Sequence, residues 1–337
     1  DLAKACRIII PIKRIEVRRS EVLASGEGEP ESIMEEEAPA EEPAVEEAQG
    51  QMAVAEENFR AADYELALNG DGNVLGFAQI IDEYGAKAGK AANFYAVFNI
   101  AEAGDHIIIS SALYGGTFNL FAVSLKKLGI EFTFIDPDAD EKTIQRAFRP
   151  NTKCVFGETV ANPSGVILDI AKFAKIAHKN GVPLIVDNTF PTPILCRPFR
   201  FGADIVVHAT TKYMDGHSSQ VGGCIVDSGN FDWEKHADKF PGLVEPDESY
   251  HGLSYTKSFG KLAYITKCTA HLMRDFGSIP SPFNAFLVNL GLESLHVRIR
   301  RHAESALKIA KWLKTQKKVA WVNYAGLSDS KYRKLLK

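Results

Sequence analysis

From Gly89 onward the chain alternates short runs of β-branched and other apolar residues with amphipathic stretches of helical period, and this alternation constrains the fold more than any other feature. The runs His106–Ile109, Glu131–Ile135, Cys154–Phe156, Leu184–Val186 and Ile205–Val207 read as strands. Between them, Asp140 is placed to cap a helix that carries Ile144 and Phe148 and stops at Pro150. Asp169 is placed to cap another that carries Phe173, Ile176 and Ala177 and ends at Gly181. Strands that are apolar throughout and alternate with helices predict an α/β fold with a mostly parallel central sheet covered on both faces. Ligands of such sheets sit at the carboxyl ends of strands.

The two ends of the chain read differently. Ser281 to Leu290 leads into a long helical pattern through Leu295, Ala303, Ala306, Ile309, Ala310 and Leu313, followed by a strand-like Val319 to Tyr324. One strand cannot form an independent sheet, so residues 281–337 are expected to begin an incomplete C-terminal α/β domain after a large domain over 89–280. Residues 1–88 form an atypical N-terminal segment: a basic and apolar start gives way to a Glu, Ala and Pro run, and residues from about 25 to 57 have so little to bury that disorder is expected. Asn58 to Tyr84 admits a helical reading around Asn69-Gly70-Asp71-Gly72-Asn73, which lacks the glutamate that closes a calcium loop.

Composition narrows the class. A 45% hydrophobic fraction with a formal net charge of only -4 favours neither a polyanion nor an anionic membrane as partner. The five cysteines, Cys6, Cys154, Cys196, Cys224 and Cys268, lie far apart, without a zinc-type CxxC pair, and read as reduced core thiols. No run approaches the ~18 apolar residues of a spanning helix. The expectation is a soluble cytoplasmic protein with no metal site, no nucleic acid and no membrane partner.

The chemistry concentrates just after two predicted strands. Asp187 follows Leu184-Ile185-Val186, and Lys212 follows Ile205-Val206-Val207 by a short polar turn, so both face one crevice. A lysine that can form an imine, with a carboxylate to keep a pyridine nitrogen protonated, is what pyridoxal phosphate chemistry requires.

Further motifs carry a family resemblance. Ser111-Ala112-Leu113-Tyr114-Gly115-Gly116, Gly157-Glu158-Thr159-Val160-Ala161-Asn162-Pro163, Gly181 to Phe190, His208 to His217 with Gly222-Gly223, Ser249 to Leu253 and Ser281 to Phe286 occur in order. Together they resemble the cystathionine γ-synthase family of Cys/Met-metabolism enzymes from about residue 89 to 337. The resemblance implies a PLP-dependent aminotransferase-like fold of type I. It implies that Lys212 holds the cofactor as a Schiff base and shuttles protons, and that Asp187 pairs with the ring nitrogen. Tyr114 then stacks on the ring and acts near the leaving group, Asn162 bonds the phenolic oxygen, and Thr211 donates to the phosphate. His208 and His217 are expected to be structural, and Cys224 a buried inert thiol.

The implied activity is γ-replacement on O-acetyl-L-homoserine with sulfide or a thiol, a step of methionine and cysteine metabolism. Cystathionine γ-synthase and methionine γ-lyase chemistry would use the same residues. A homotetramer built as a dimer of dimers is the implied assembly. The chain departs from the family at four points. Lys87-Ala88-Gly89-Lys90 stands where a Ser-Ser-Gly turn opens the cofactor helix, leaving the backbone of Gly89 and the cation of Lys90 to meet the phosphate. Ala209 replaces a serine, and no Tyr-x-Arg near an Asn-Pro-Thr precedes Gly89. The C-terminal part that supplies an arginine for the substrate carboxylate is also missing. A non-catalytic remnant or assembly subunit is the competing expectation.

Overall fold

Apolar runs of four to seven residues, too short for helices of their own, pair into a seven-stranded sheet in the computed structural model, which describes residues 77–80 and 88–336. The elements that position the site are β1 (Phe77–Ile80), α1 (Ala88–Phe98), β2 (His106–Ser110), β3 (Glu131–Ile135), α2 (Glu141–Arg146), β4 (Thr152–Glu158), α3 (Ile170–Lys179), β5 (Leu184–Asp187), β6 (Ile205–His208), β7 (Gly223–Asp227) and α4 (Pro282–Leu313). Sheet order is β1-β7-β6-β5-β4-β2-β3. The strands from β6 across to β3 are mutually parallel, while β7 returns antiparallel beside β6 and β1 beside β7. β2 and β7 are buried along their whole length, as a sheet covered on both faces demands.

The caps fall where the sequence puts them. Asp140 accepts a hydrogen bond from Thr143 N and Asp169 from Lys172 N. The main core joins α1, the parallel strands and α3, with Phe121, Phe156, Phe173 and Tyr264 among its largest buried side chains.

Two expectations are corrected. Val319–Tyr324 forms no strand: it pairs with none of the described strands, and Trp321 is 78% exposed. An apolar run without a ladder partner leaves its backbone to water. Within the helical reading of residues 58–84, Phe77–Ile80 is a strand, because pairing with the free edge of β7 overrides the local period. The basic start, the acidic run, Asn69–Asn73 and Lys87 lie outside the described residues.

α4 docks by a close backbone approach. A Cβ on Gly291 would stand 2.3 Å from the Asp215 carbonyl oxygen and 2.4 Å from that of Met214, so only glycine lets the helix reach this depth. Around that contact Met214, Cys224, Val288, Leu292, Leu295 and Ile299 form a second buried cluster. Helix and Lys212 loop are therefore one packed unit.

Gly291→Ala is expected to lower stability by about 1–3 kcal/mol, overcoming the ~1 kcal/mol that alanine gains in a helix, because the obstructing atoms are backbone oxygens. A lower urea midpoint at unchanged slope would show it. A second expectation concerns His178 on α3, whose Nε2 donates to Asp204 Oδ2 at 2.7 Å, while the same oxygen accepts from Leu184 N at 2.8 Å. The Asp204 hydrogen bond raises the imidazole above its ordinary 6.5. Stability from this pair is therefore full below about 6.5 and declines as pH rises through the higher folded value. Urea midpoints measured from pH 5.5 to 9 should fall over that window in the wild type and lie flatter in His178→Gln.

Candidate active site

Parallel pairing aligns the carboxyl ends of neighbouring strands, and β4 and β5 end in acids that are direct partners: Glu158 opposite Asp187. Both line a cleft of about 680 Å³ together with Asn93, Tyr114, Asn162, Thr211 and Lys212. The sequence-derived pair thus converges: Lys212 and Asp187 face one cavity.

Each side chain is held by its neighbours. Asp187 Oδ1 accepts from Thr189 N at 3.0 Å and Thr189 Oγ1 at 2.5 Å, and its Oδ2 from Asn93 Nδ2 at 3.3 Å. Thr189 Oγ1 in turn accepts from Ala209 N at 2.8 Å, which ties the β5 loop to the turn carrying the lysine. Burial pushes the Asp187 carboxyl above its ordinary range against the Thr189 and Asn93 bonds. No cation answers its charge among the hydrogen bonds described.

Lys212 stands on a turn pinned at both ends. Lys212 N donates to Ala209 O at 3.1 Å and Gly216 N to Lys212 O at 2.8 Å. Thr211 Oγ1 donates to Gly222 O at 3.1 Å and accepts from Gly222 N at 2.8 Å, so this hydroxyl bridges the two strands' connections. Asp215, fully buried, gathers Ser219 Oγ at 2.6 Å, Ser219 N and His217 N.

Tyr114 is 46% exposed at the start of the short helix Gly115–Asn119, with its ring free at the cleft wall. Asn162 lines the cleft from the loop after β4. Gly89 and Lys90 form the first turn of α1, the helix that brings Asn93 to Asp187. His208 is buried in β6 and lowered by burial to about 4, so it stays neutral. His217 bonds the Asp215 carbonyl, and Cys224 is buried with its thiol pushed up by burial. Among the described residues no group of His, Cys, Asp and Glu could hold a metal ion, and no helix is long and apolar enough to cross a membrane.

Several cleft residues escape the sequence reading. Glu158 closes the run Cys154-Val155-Phe156-Gly157 as Asp187 closes Leu184-Ile185-Val186, and that parallel was the available signal. Asn93, Arg298 and His302 carried none. Arg298 and His302 reach the cleft from α4, Arg298 donating to Ser294 Oγ at 2.9 Å and Gly291 O at 2.7 Å. His302 meets Tyr213 edge-on, ring centres 5.7 Å apart, and Tyr213 tilts against Phe190 at 6.2 Å, forming an aromatic rim.

The donor set fits pyridoxal phosphate. A buried carboxylate without a cation suits a protonated ring nitrogen, and a lysine amine suits an imine. The buried acceptors Asn93 Oδ1 and Gln220 Oε1, both on the cleft, have no partner among the described residues.

Comparison with known proteins agrees. The family model of the Cys/Met metabolism PLP-dependent enzymes matches residues 82–337. The homocysteine/cysteine synthase of Saccharomyces cerevisiae is 44% identical over 243 residues, 72% of this chain and 54% of that protein. O-acetyl-L-homoserine sulfhydrylase of Corynebacterium glutamicum is 46% identical over 246 residues, 72% and 56% of the respective chains. This chain spans about half the length of the curated relatives it matches. A solved structure from Campylobacter jejuni, provisionally assigned as an O-acetylhomoserine (thiol)-lyase and carrying N'-pyridoxyl-lysine-5'-monophosphate, superposes with a TM-score of 0.71 at 32% identity, over 85% of this chain and 71% of that one. With a parallel sheet whose strand ends bring Lys212 to Asp187, and a family match over three quarters of its length, the chain belongs to the Cys/Met metabolism family of PLP-dependent enzymes.

Proposed function

We propose that this chain carries the cofactor-binding part of a γ-replacement enzyme that converts O-acetyl-L-homoserine and sulfide, or a thiol, into homocysteine or its thioether, with release of acetate. The observation that carries the reading is the convergence of Lys212 and Asp187 on one cleft. The relatives named as homocysteine synthases and O-acetyl-L-homoserine sulfhydrylases support the choice of substrate. Residues 89–280 serve as the cofactor domain and 281–337 as the beginning of a second. A cytoplasmic homotetramer is the assembly that the family resemblance suggests.

Pyridoxal phosphate, when bound, supplies a sink for negative charge formed at a substrate carbon. The protein's part is binding, orientation and proton transfer. Asp187, fixed by Thr189 and Asn93, would hold the cationic ring edge with little reorganisation on binding. The Lys212 amine would take the proton from the substrate α-carbon and return it at the end. Tyr114 offers an aromatic face to the ring and a hydroxyl toward the departing acetate. Asn162 would contact the ring's phenolic oxygen. At the phosphate end, Gly89 and Lys90, in the first turn of α1, would meet the phosphate at the positive end of the helix, and Thr211 would join them from the cleft lining. Phe190, Tyr213 and His302 narrow the mouth and limit water.

Reconstitution tests this reading. Purified protein mixed with pyridoxal phosphate should develop a visible absorbance band that borohydride fixes covalently, at Lys212 by peptide mapping. Lys212→Ala should show neither. Asp187→Asn should keep the attachment but weaken the cofactor by roughly tenfold to a hundredfold, the worth of one hydrogen bond to a charged group. Wild-type protein that stays colourless would defeat the reading.

A further inference from the structure

Glu158 is the acid of the cleft to which no role has been given. It is 6% exposed and uses both carboxyl oxygens: Oε1 accepts from Tyr114 N at 2.8 Å and Oε2 from Asn162 N at 3.2 Å. Those two residues stand on different loops, one after β2 and one after β4, and no other hydrogen bond described joins them. The same carboxyl is the register partner of Asp187 on the adjoining strand. One side chain therefore fixes the backbone of two cleft residues and stands beside a second acid.

We propose that Glu158 is a positioning residue that sets Tyr114 and Asn162 by their backbone N–H groups and acts with Asp187 as one paired-acid seat for a cationic heteroaromatic ring. The inference rests on the cofactor reading above and deepens it. Two acids side by side in a desolvated site cannot both ionise without a counter-charge. Burial and the neighbouring Asp187 push the Glu158 carboxyl up to about 8, so at neutral pH one proton is retained on the pair. A docking cation supplies the missing charge, which favours release of that proton to solvent. The other titratable groups facing the cleft are Tyr114, Lys212, Tyr213, Arg298 and His302. They are common to wild type and variant and cancel when the two are compared, as does the cofactor's own titration.

The test is the dissociation constant of pyridoxal phosphate, read by absorbance titration from pH 6.5 to 9.5, for the wild type, Glu158→Gln and Glu158→Ala. Glu158→Gln keeps the shape and one acceptor but never ionises. Its affinity relative to wild type should start slightly weaker and fall further, by about tenfold, as pH passes 8, the size of one charge-assisted contact. Glu158→Ala should be weaker at every pH. A Gln-to-wild-type affinity ratio that stays flat with pH overturns the paired-acid role. Wild-type affinity in Glu158→Ala overturns the positioning role. Should the alanine variant fail to fold, Glu158→Asp serves in its place: the shorter side chain cannot reach both N–H groups, so an affinity equal to wild type refutes positioning equally. A wild type that binds no cofactor would fail the proposed function itself, which is a different result from a wild type that binds while the variants match it.

Discussion

Register between two parallel strands is the constraint on which the site depends. Because β4 and β5 run in the same direction and pair without a slip at their ends, the last residue of each arrives side by side, Glu158 against Asp187. A one-residue shift would turn one acid to the opposite face of the sheet and leave it unpaired in the core. The apolar residues Val155, Phe156, Leu184 and Ile185, all essentially buried, hold the register by burying equal lengths of strand. Core packing and site electrostatics are thus fixed by one set of contacts.

The turn carrying Lys212 follows from a second topological choice. β7 runs back antiparallel beside β6, so the connection leaves and re-enters the sheet at neighbouring positions, His208 against Cys224. Thr211 and Gly222 bridge its mouth, Asp215 its centre. A parallel successor to β6 would have required a crossover and an open loop at this place. The lysine instead sits in a closed frame that limits the conformations its backbone can sample.

Much of this was legible in the sequence because strand ends announce themselves. Asp187 and Lys212 each follow an apolar run by a few residues, and a charge in that position has few places to go except the carboxyl edge of the sheet. The caps Asp140 and Asp169 were legible because a side chain bonding its own backbone needs no distant partner. Arg298 and His302 were opaque: on an exposed helical pattern a charge reads as solvated until the helix is docked, and the docking is decided by Gly291 meeting the distant loop at Met214 and Asp215. β1 was opaque because four residues, Phe77–Ile80, carry too little period to be told from a helix. Val319–Tyr324 misled for the opposite reason, since apolarity without a neighbouring edge is no strand.

The docking of α4 has a geometric consequence. Gly291 and Arg298 lie seven residues apart on one helix, about two turns or ~10 Å along its axis. The glycine presses on the carbonyls of Met214 and Asp215, and the guanidinium packs over Gly216. Sliding or rolling this rod would therefore displace the floor beneath the lysine turn and the cationic wall beside it in the same stroke. The seat of the lysine turn and the placement of positive charge beside the cleft are set by how one helix docks, so sequence change on the outer face of α4 can retune both without touching a residue that meets the ligand.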